Sequence, residues 1–97
     1  MSRPFSTESV FRALAHPTRR HILDLLNRGE KSPLELAQNF HHTQPTLSAH
    51  LRVLRSVGLI AERRIGRKRI YTLHPRGLRP VLEWIKTYDP QRRTASR

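Results

Sequence analysis

The sequence predicts one small, mainly helical domain with a short β-hairpin, in the order helix, helix, helix, helix, strand, strand, helix. Three observations predict it. Apolar residues recur at helical spacing in a succession of short stretches, each bounded by capping residues, Pro or Gly. Between residues 59 and 74 that spacing gives way to two runs of strand formers around Gly66-Arg67. The chain has 97 residues, 36% of them hydrophobic, which allows one domain with a modest core of the kind that often leans on oligomerisation.

The first helix spans about residues 6–15. Ser6 or Thr7 can cap it, Glu8 places an acid in its first turn, and Val10, Phe11, Leu14 and Ala15 form its apolar face. His16-Pro17 breaks the run, and Pro17 suits the first position of a second helix. That helix buries Ile22, Leu23, Leu25 and Leu26 and ends at Gly29, with Arg19, Arg20 and Arg28 outside. Ser32-Pro-Leu-Glu35 then reads as a compact helix start, with Ser32 the cap and Glu35 three residues on. Leu34, Leu36, Ala37 and Phe40 are expected on its buried side.

His41-His-Thr43 makes a turn, Thr43 can cap the next helix, and Pro45 falls in its first turn. Leu47, Leu51 and Leu54 recur at i, i+4 and i+7 and face the core, and Gly58 closes the helix. Two short helices joined by a tight turn are the helix-turn-helix arrangement. Residues 59–65 and 68–74 read as the strands of the hairpin, with Ile70, Tyr71, Thr72 and Leu73 as good strand material. Pro75-Arg-Gly77 interrupts, and a last helix starts near Leu78 or Arg79, because Pro80 is tolerated only in a first turn. It ends before Pro90. The domain is thus placed at residues 6–89, a winged helix-turn-helix with helices around a three-helix core. Residues 1–5 and 90–97 are expected to be flexible basic termini.

Lys and Arg number 19 against 7 Asp and Glu, a net charge of +12. So large a charge on one small domain favours a polyanionic partner, nucleic acid first and anionic membrane second. No segment approaches the roughly 20 apolar residues of a membrane span, and no signal-length apolar run opens the chain. No membrane partner is therefore expected, and a cytoplasmic, nucleoid-associated setting is. The absence of cysteine excludes disulfides, thiol catalysis and thiolate metal sites. With no Gly-rich phosphate loop and no paired acids at useful spacing, an enzyme is not expected. A small basic RNA-binding structural protein is the alternative. It would need aromatic stacking platforms on an exposed sheet, and the hairpin carries only Tyr71.

The charge is clustered, and the clusters nominate a DNA surface. On the helix at about 44–57, Thr43, Gln44, Pro45, Thr46, Ser48, Ala49, His50 and Arg52 lie off the leucine edge near its start. Their mostly small or hydrogen-bonding side chains suit base edges and phosphates. Ser48 could equally back-bond within its helix, and Gln44 could serve only as a cap. His50 is expected to meet a phosphate. On the hairpin at 62–70, Arg63, Arg64, Arg67, Lys68 and Arg69 could track phosphates or enter a minor groove, although strand alternation predicts that they do not all share one face. Arg19 and Arg20 either touch the DNA backbone or pair with acids such as Asp24. Leu78, Val81, Leu82, Trp84, Ile85 and Tyr88 make a stripe wider than one small domain needs. With Phe11 and Leu14 it is the expected dimer interface. Six histidines raise the question of a metal, but His16 and His21 are five apart and His41 and His42 are adjacent. Neither spacing puts two ligands on one helix face, so no metal or other cofactor is expected.

Three strings carry a family resemblance. Ala13-Leu-Ala-His-Pro-Thr-Arg-Arg-His-Ile-Leu23, Ser48-Ala-His-Leu-Arg-Val-Leu54, and Gly58-Leu-Ile60 followed by Arg63-Arg64 and Gly66 to Tyr71 resemble, in order, the opening, recognition helix and wing of the ArsR-type winged-helix repressors of bacteria. The match runs from about residue 8 to residue 88. The resemblance implies a homodimer built through the first and last helices. It also implies recognition helices in successive major grooves of a double-stranded operator with two-fold symmetry, usually near the repressor's own promoter. Metal-sensing members carry cysteines in the helix before the turn, or Asp and His pairs on the last helix. Here Leu34 to Gln38 has no thiol, and Leu78 to Lys86 has one Glu and no His. The chain therefore resembles the metal-independent, autorepressor-like branch. Two modes of release stay open: titration, as by a partner protein, or a ligand pocket between the dimer helices.

Overall fold

A computed structural model of the chain describes residues 6–41 and 43–88. The termini 1–5 and 90–97, the helix stop at Pro90 and His42 of the turn lie outside the described residues. Five α-helices and one hairpin follow each other as α1 (Thr7–Leu14), α2 (Pro17–Asn27), α3 (Pro33–Ala37), α4 (Gln44–Ser56), β1 (Ile60–Ile65), β2 (Lys68–Leu73) and, after a 3₁₀ turn at Pro75–Leu78, α5 (Arg79–Lys86). This is the expected mainly helical order with a two-stranded antiparallel wing.

Local chemistry places the helix starts. The Ser6 hydroxyl accepts from the Ser9 backbone N–H at 3.0 Å, so Ser6 is the cap of α1. The cap of α2 is His16, whose ring Nδ1 accepts from the Thr18 N–H at 3.2 Å, a role that a break at His16-Pro17 does not announce. At α3 the Ser32 hydroxyl accepts from the Glu35 N–H at 3.2 Å, while the Glu35 carboxylate accepts from the Ser32 N–H at 2.8 Å. That reciprocal box satisfies two donors that a helix start otherwise leaves unpaired. Thr43 caps α4 through its bond from the Thr46 N–H.

The core is one cluster. Ile22, Leu23, Leu25 and Leu26 of α2 meet Leu36 of α3, Leu47, Leu51 and Leu54 of α4, and Leu59, Ile60 and Tyr71 of the hairpin. Ile22, Leu36, Leu54 and Leu59 are wholly buried. Two expected faces shift. On α1 the buried pair is Val10 and Ala13, three apart, whereas Ala15 lies past the helix end and is exposed. On α3, Leu34 is 65% exposed, because two residues at 100° per step put it on the far side from Leu36.

The hairpin register pairs Ile60 with Leu73 and Ile65 with Lys68, leaving Gly66-Arg67 as a two-residue turn. Gly66 has φ +64°, the positive value that a type II′ hairpin requires at its first central position. A single-residue bridge extends the sheet: the Tyr71 N–H donates to the Lys31 carbonyl at 2.8 Å, and the Lys31 N–H returns the bond at 3.1 Å. This ties the wing to the segment before α3, and one isolated bridge leaves no alternation in the sequence. Farther on, Gly77 lies so near the turn after α4 that a Cβ there would sit 2.2 Å from the Gly58 carbonyl oxygen, which only glycine avoids.

The capping box makes a measurable prediction. The Glu35 carboxyl titrates below its ordinary value, first because the Ser32 backbone N–H donates to it, then through the Ser32 hydroxyl and the nearby Lys31 and Lys68. A depressed folded pKa adds stability above the unfolded pKa and loses it as pH falls through the folded one. Glu35→Gln is therefore expected to flatten the acid limb of the stability curve in urea unfolding between about pH 5 and pH 3. Ser32→Ala is expected to cost about 1 kcal/mol and to move the Glu35 carboxyl resonance midpoint upward in an NMR titration.

Candidate nucleic-acid interface

Helix α4 sorts its residues sharply. Leu47, His50, Leu51 and Leu54 are buried, at i, i+3, i+4 and i+7. Thr43, Gln44, Pro45, Thr46, Ser48, Ala49 and Arg52 are exposed around its start and outer side. The Thr43 hydroxyl is engaged locally, capping the helix and donating to the Thr46 hydroxyl at 2.9 Å. Gln44, Ser48, Ala49 and Arg52 present an open surface of small and hydrogen-bonding groups.

His50 departs from expectation. It was expected on the exposed face against a phosphate, but it is 9% exposed. Its ring lies 4.4 Å from that of His16, and its Nδ1 accepts from the Arg19 Nε–H at 3.2 Å. The reason is geometric: three residues after Leu47 and four before Leu54, position 50 falls on the leucine stripe. Its contacts dock α4 onto the start of α2. Arg19 is thereby assigned to this junction, and Arg20 donates to the Leu14 carbonyl at 2.7 Å, so neither takes Asp24 as its partner in these bonds.

The wing distributes its cations as alternation demands. Arg64 and Arg69 face each other across the strands on the side that carries Ile60, Glu62, Tyr71 and Leu73. Arg63 and Lys68 lie on the opposite side with Ile65 and Ile70, and Arg67 sits in the turn. Arg63 is held by Glu30 at 2.6 Å, so part of its charge is already met. Arg64, Arg67, Lys68 and Arg69 are all exposed. A shallow groove of about 610 Å³ lies between the start of α3, Gln44 and β2, with Lys68 and Arg69 on its rim. Tyr71, the one aromatic on the hairpin, is 5% exposed and offers no face on which a base could stack.

Residues outside the expected set also meet this surface. Arg55 of α4 forms a close ion pair with Glu62 of β1. Ser48, Arg52 and Arg55 are spaced i, i+4 and i+7, the same signal that marks the leucine stripe, so a polar stripe facing the wing was there to be found. Among the described residues, no group of three or more His, Cys, Asp or Glu side chains could hold a metal ion. No helix among them is long and apolar enough to cross a membrane.

On the opposite end, α1 and α5 pack together, with the Phe11 and Trp84 rings edge to face at 5.3 Å and 81°. The expected dimer stripe divides here. Leu14, Leu78 and Val81 pack against the chain's own core. Leu82, Trp84, Ile85 and Tyr88 remain at least half exposed, a narrower apolar face than the sequence pattern drew.

A family model described as bacterial regulatory protein, arsR family, matches residues 16–62. The chain is 34% identical over 80 residues to the transcriptional repressor SdpR of Bacillus subtilis, covering 82% of this chain and 89% of that protein. It is similar in structure to an ArsR-like transcriptional regulator from Rhodococcus sp. RHA1, with a TM-score of 0.73 and 31% identity over 93% of this chain and 87% of that one. It is also similar to a homodimeric winged helix-turn-helix DNA-binding domain from Mycobacterium bovis, with a TM-score of 0.68 and 31% identity over 84% of this chain and 75% of that one.

The buried position of His50 predicts how its loss would read. His50→Ala is expected to lower unfolding stability by about 2 kcal/mol, through the lost ring packing and an unpaired Arg19, whereas Ser48→Ala should stay within about 0.5 kcal/mol. Equal urea midpoints for the two variants would return His50 to the exposed face.

Proposed function

The chain belongs to the arsR family of bacterial regulatory proteins, and we propose that it acts as a homodimeric repressor on a double-stranded operator of two-fold symmetry. Membership makes it a DNA-binding transcription regulator, not an enzyme, with a winged helix-turn-helix domain. In the proposed complex, α4 enters the major groove with Gln44, Thr46, Ser48, Ala49 and Arg52 toward the bases and backbone, and the wing lays Arg64, Arg67, Lys68 and Arg69 along phosphates or into a minor groove.

One observation carries this reading. The exposed side of α4 and the exposed wing cations Lys68 and Arg69 border the same two cavities, while Leu47, His50, Leu51 and Leu54 hold the other side of α4 in the core. The surface left over is polar and cationic, which suits a phosphate-lined duplex. The dimer rests on Leu82, Trp84 and Ile85 of α5 and on Tyr88 just beyond it, an apolar face that water covers poorly and a second copy would bury. Two copies joined there would present two α4 helices to one face of a duplex, which favours a symmetric site. The homodimeric M. bovis domain supports the dimer, and the B. subtilis repressor supports repression. The absence of any cysteine favours operation without a thiolate-bound metal. Autorepression in the cytoplasm, at the nucleoid, with release when a partner protein titrates the dimer, completes the reading.

Footprinting on the DNA upstream of the chain's own gene tests the whole scheme, and a protected palindrome is the expected result. An unprotected region would sink autorepression, and a protected single half-site would sink the symmetric dimer. Arg67→Gln is expected to reduce the slope of log affinity against log salt by about 0.9, the loss of one phosphate contact. Ile85→Glu places a charge in the proposed dimer face, so sedimentation should show monomers and weaker operator binding with the fold intact by circular dichroism.

A further inference from the structure

Between α4 and β2 lies a cavity of about 250 Å³, lined by Ser48, Leu51, Arg52, Arg55, Arg69 and Tyr71. We propose that it is a clasp for a single DNA backbone phosphate, gripped from the recognition helix by Arg52 and the Ser48 hydroxyl and from the wing by Arg69. The proposal rests on the DNA-binding reading above and names the group that one part of that surface takes.

The geometry converges from two independent elements. Ser48, Arg52 and Arg55 stack along one side of α4, and Arg69 and Tyr71 alternate on the face of β2 turned toward it. Leu51 and Tyr71 are buried and close the floor. The cavity is smaller than the roughly 300–1,000 Å³ clefts that hold drug-sized ligands, which argues against an organic effector.

Charge balance then selects the occupant. Glu62 holds Arg55 in a close ion pair, so that guanidinium is fixed and its charge met. No carboxylate among the described residues pairs with Arg52 or Arg69. Two unmet guanidiniums facing one small cavity repel each other until an anion sits between them. Their planar forks match phosphate oxygens, and the Ser48 hydroxyl adds a donor. Because α4 and the wing both reach the same phosphate, the clasp would set the angle between them on the duplex.

A double-mutant cycle tests this on the full chain, by fluorescence anisotropy with a duplex selected from a random library. If Arg52 and Arg69 share one phosphate, Arg52→Gln and Arg69→Gln each weaken binding about tenfold. The double variant is then little worse than either, and its salt slope falls by about 0.9 in total, the loss of one phosphate. Arg52→Lys keeps the charge but not the fork, and should recover the slope without recovering the full affinity. Additive losses with a slope falling by about 1.8 in the double variant mean two separate phosphates and overturn the clasp, as does unchanged binding in both single variants. If the unsubstituted protein binds no selected duplex, the DNA-binding reading itself fails and the clasp falls with it.

Discussion

The burial of the Leu47–Leu51–Leu54 stripe against α2 is the constraint on which the rest of the structure depends. Each of these side chains is nearly or wholly removed from water, a gain of about 1.5–3 kcal/mol apiece. A helix pinned on one side has no freedom in what it shows on the other. Ser48, Ala49 and Arg52 face outward because Leu47, Leu51 and Leu54 face inward. The exposed polar set is thus a by-product of core packing. His50, a polar residue on the leucine stripe, is drawn inward by the same packing and finds partners in Arg19 and His16.

The wing obeys the same logic with a different period. Ile60 and Tyr71 anchor one face of the hairpin in the core, and the reciprocal backbone bonds between Tyr71 and Lys31 hold it at the middle of β2. Beyond that anchor the strands project with their cations. Alternation divides these between two faces, and ion pairs sort them further: Glu30 engages Arg63, and Glu62 engages Arg55. An excess of +12 over the chain therefore leaves most of the wing's charge unmet, with Glu30 and Glu62 each engaging one arginine beside it.

At the far end, α1 and α5 form a layer of their own. Phe11 against Trp84 contributes about 0.5–1.5 kcal/mol beyond its buried area, beside Leu82 and Ile85, which stay half exposed. Leu14, Leu78 and Val81 serve the chain's own core from beneath. The layer thus has an inner side that completes the monomer and an outer side still exposed to water.

Much of this was legible in the sequence because it depends on local rules. The Ser32–Glu35 box, the Gly66-Arg67 turn and the leucine spacing of α4 are each set by neighbours a few residues apart, and their positions follow from residue type alone. Three strings matching a bacterial repressor family were enough to carry the fold and the function class. What the tertiary structure decided involves residues far apart in the chain. Nothing local tells position 50 that Arg19 and His16 wait for it, or tells Leu34 that a helix as short as α3 buries only one flank. Neither does spacing show that Glu30 will hold Arg63, or that Arg52 and Arg69 will line one cavity. The sequence by itself determined which elements form and which face of each is apolar, because periodicity and capping are short-range. Only the packing of those faces against one another decided which polar groups stay exposed, because that depends on partners the chain brings together by folding.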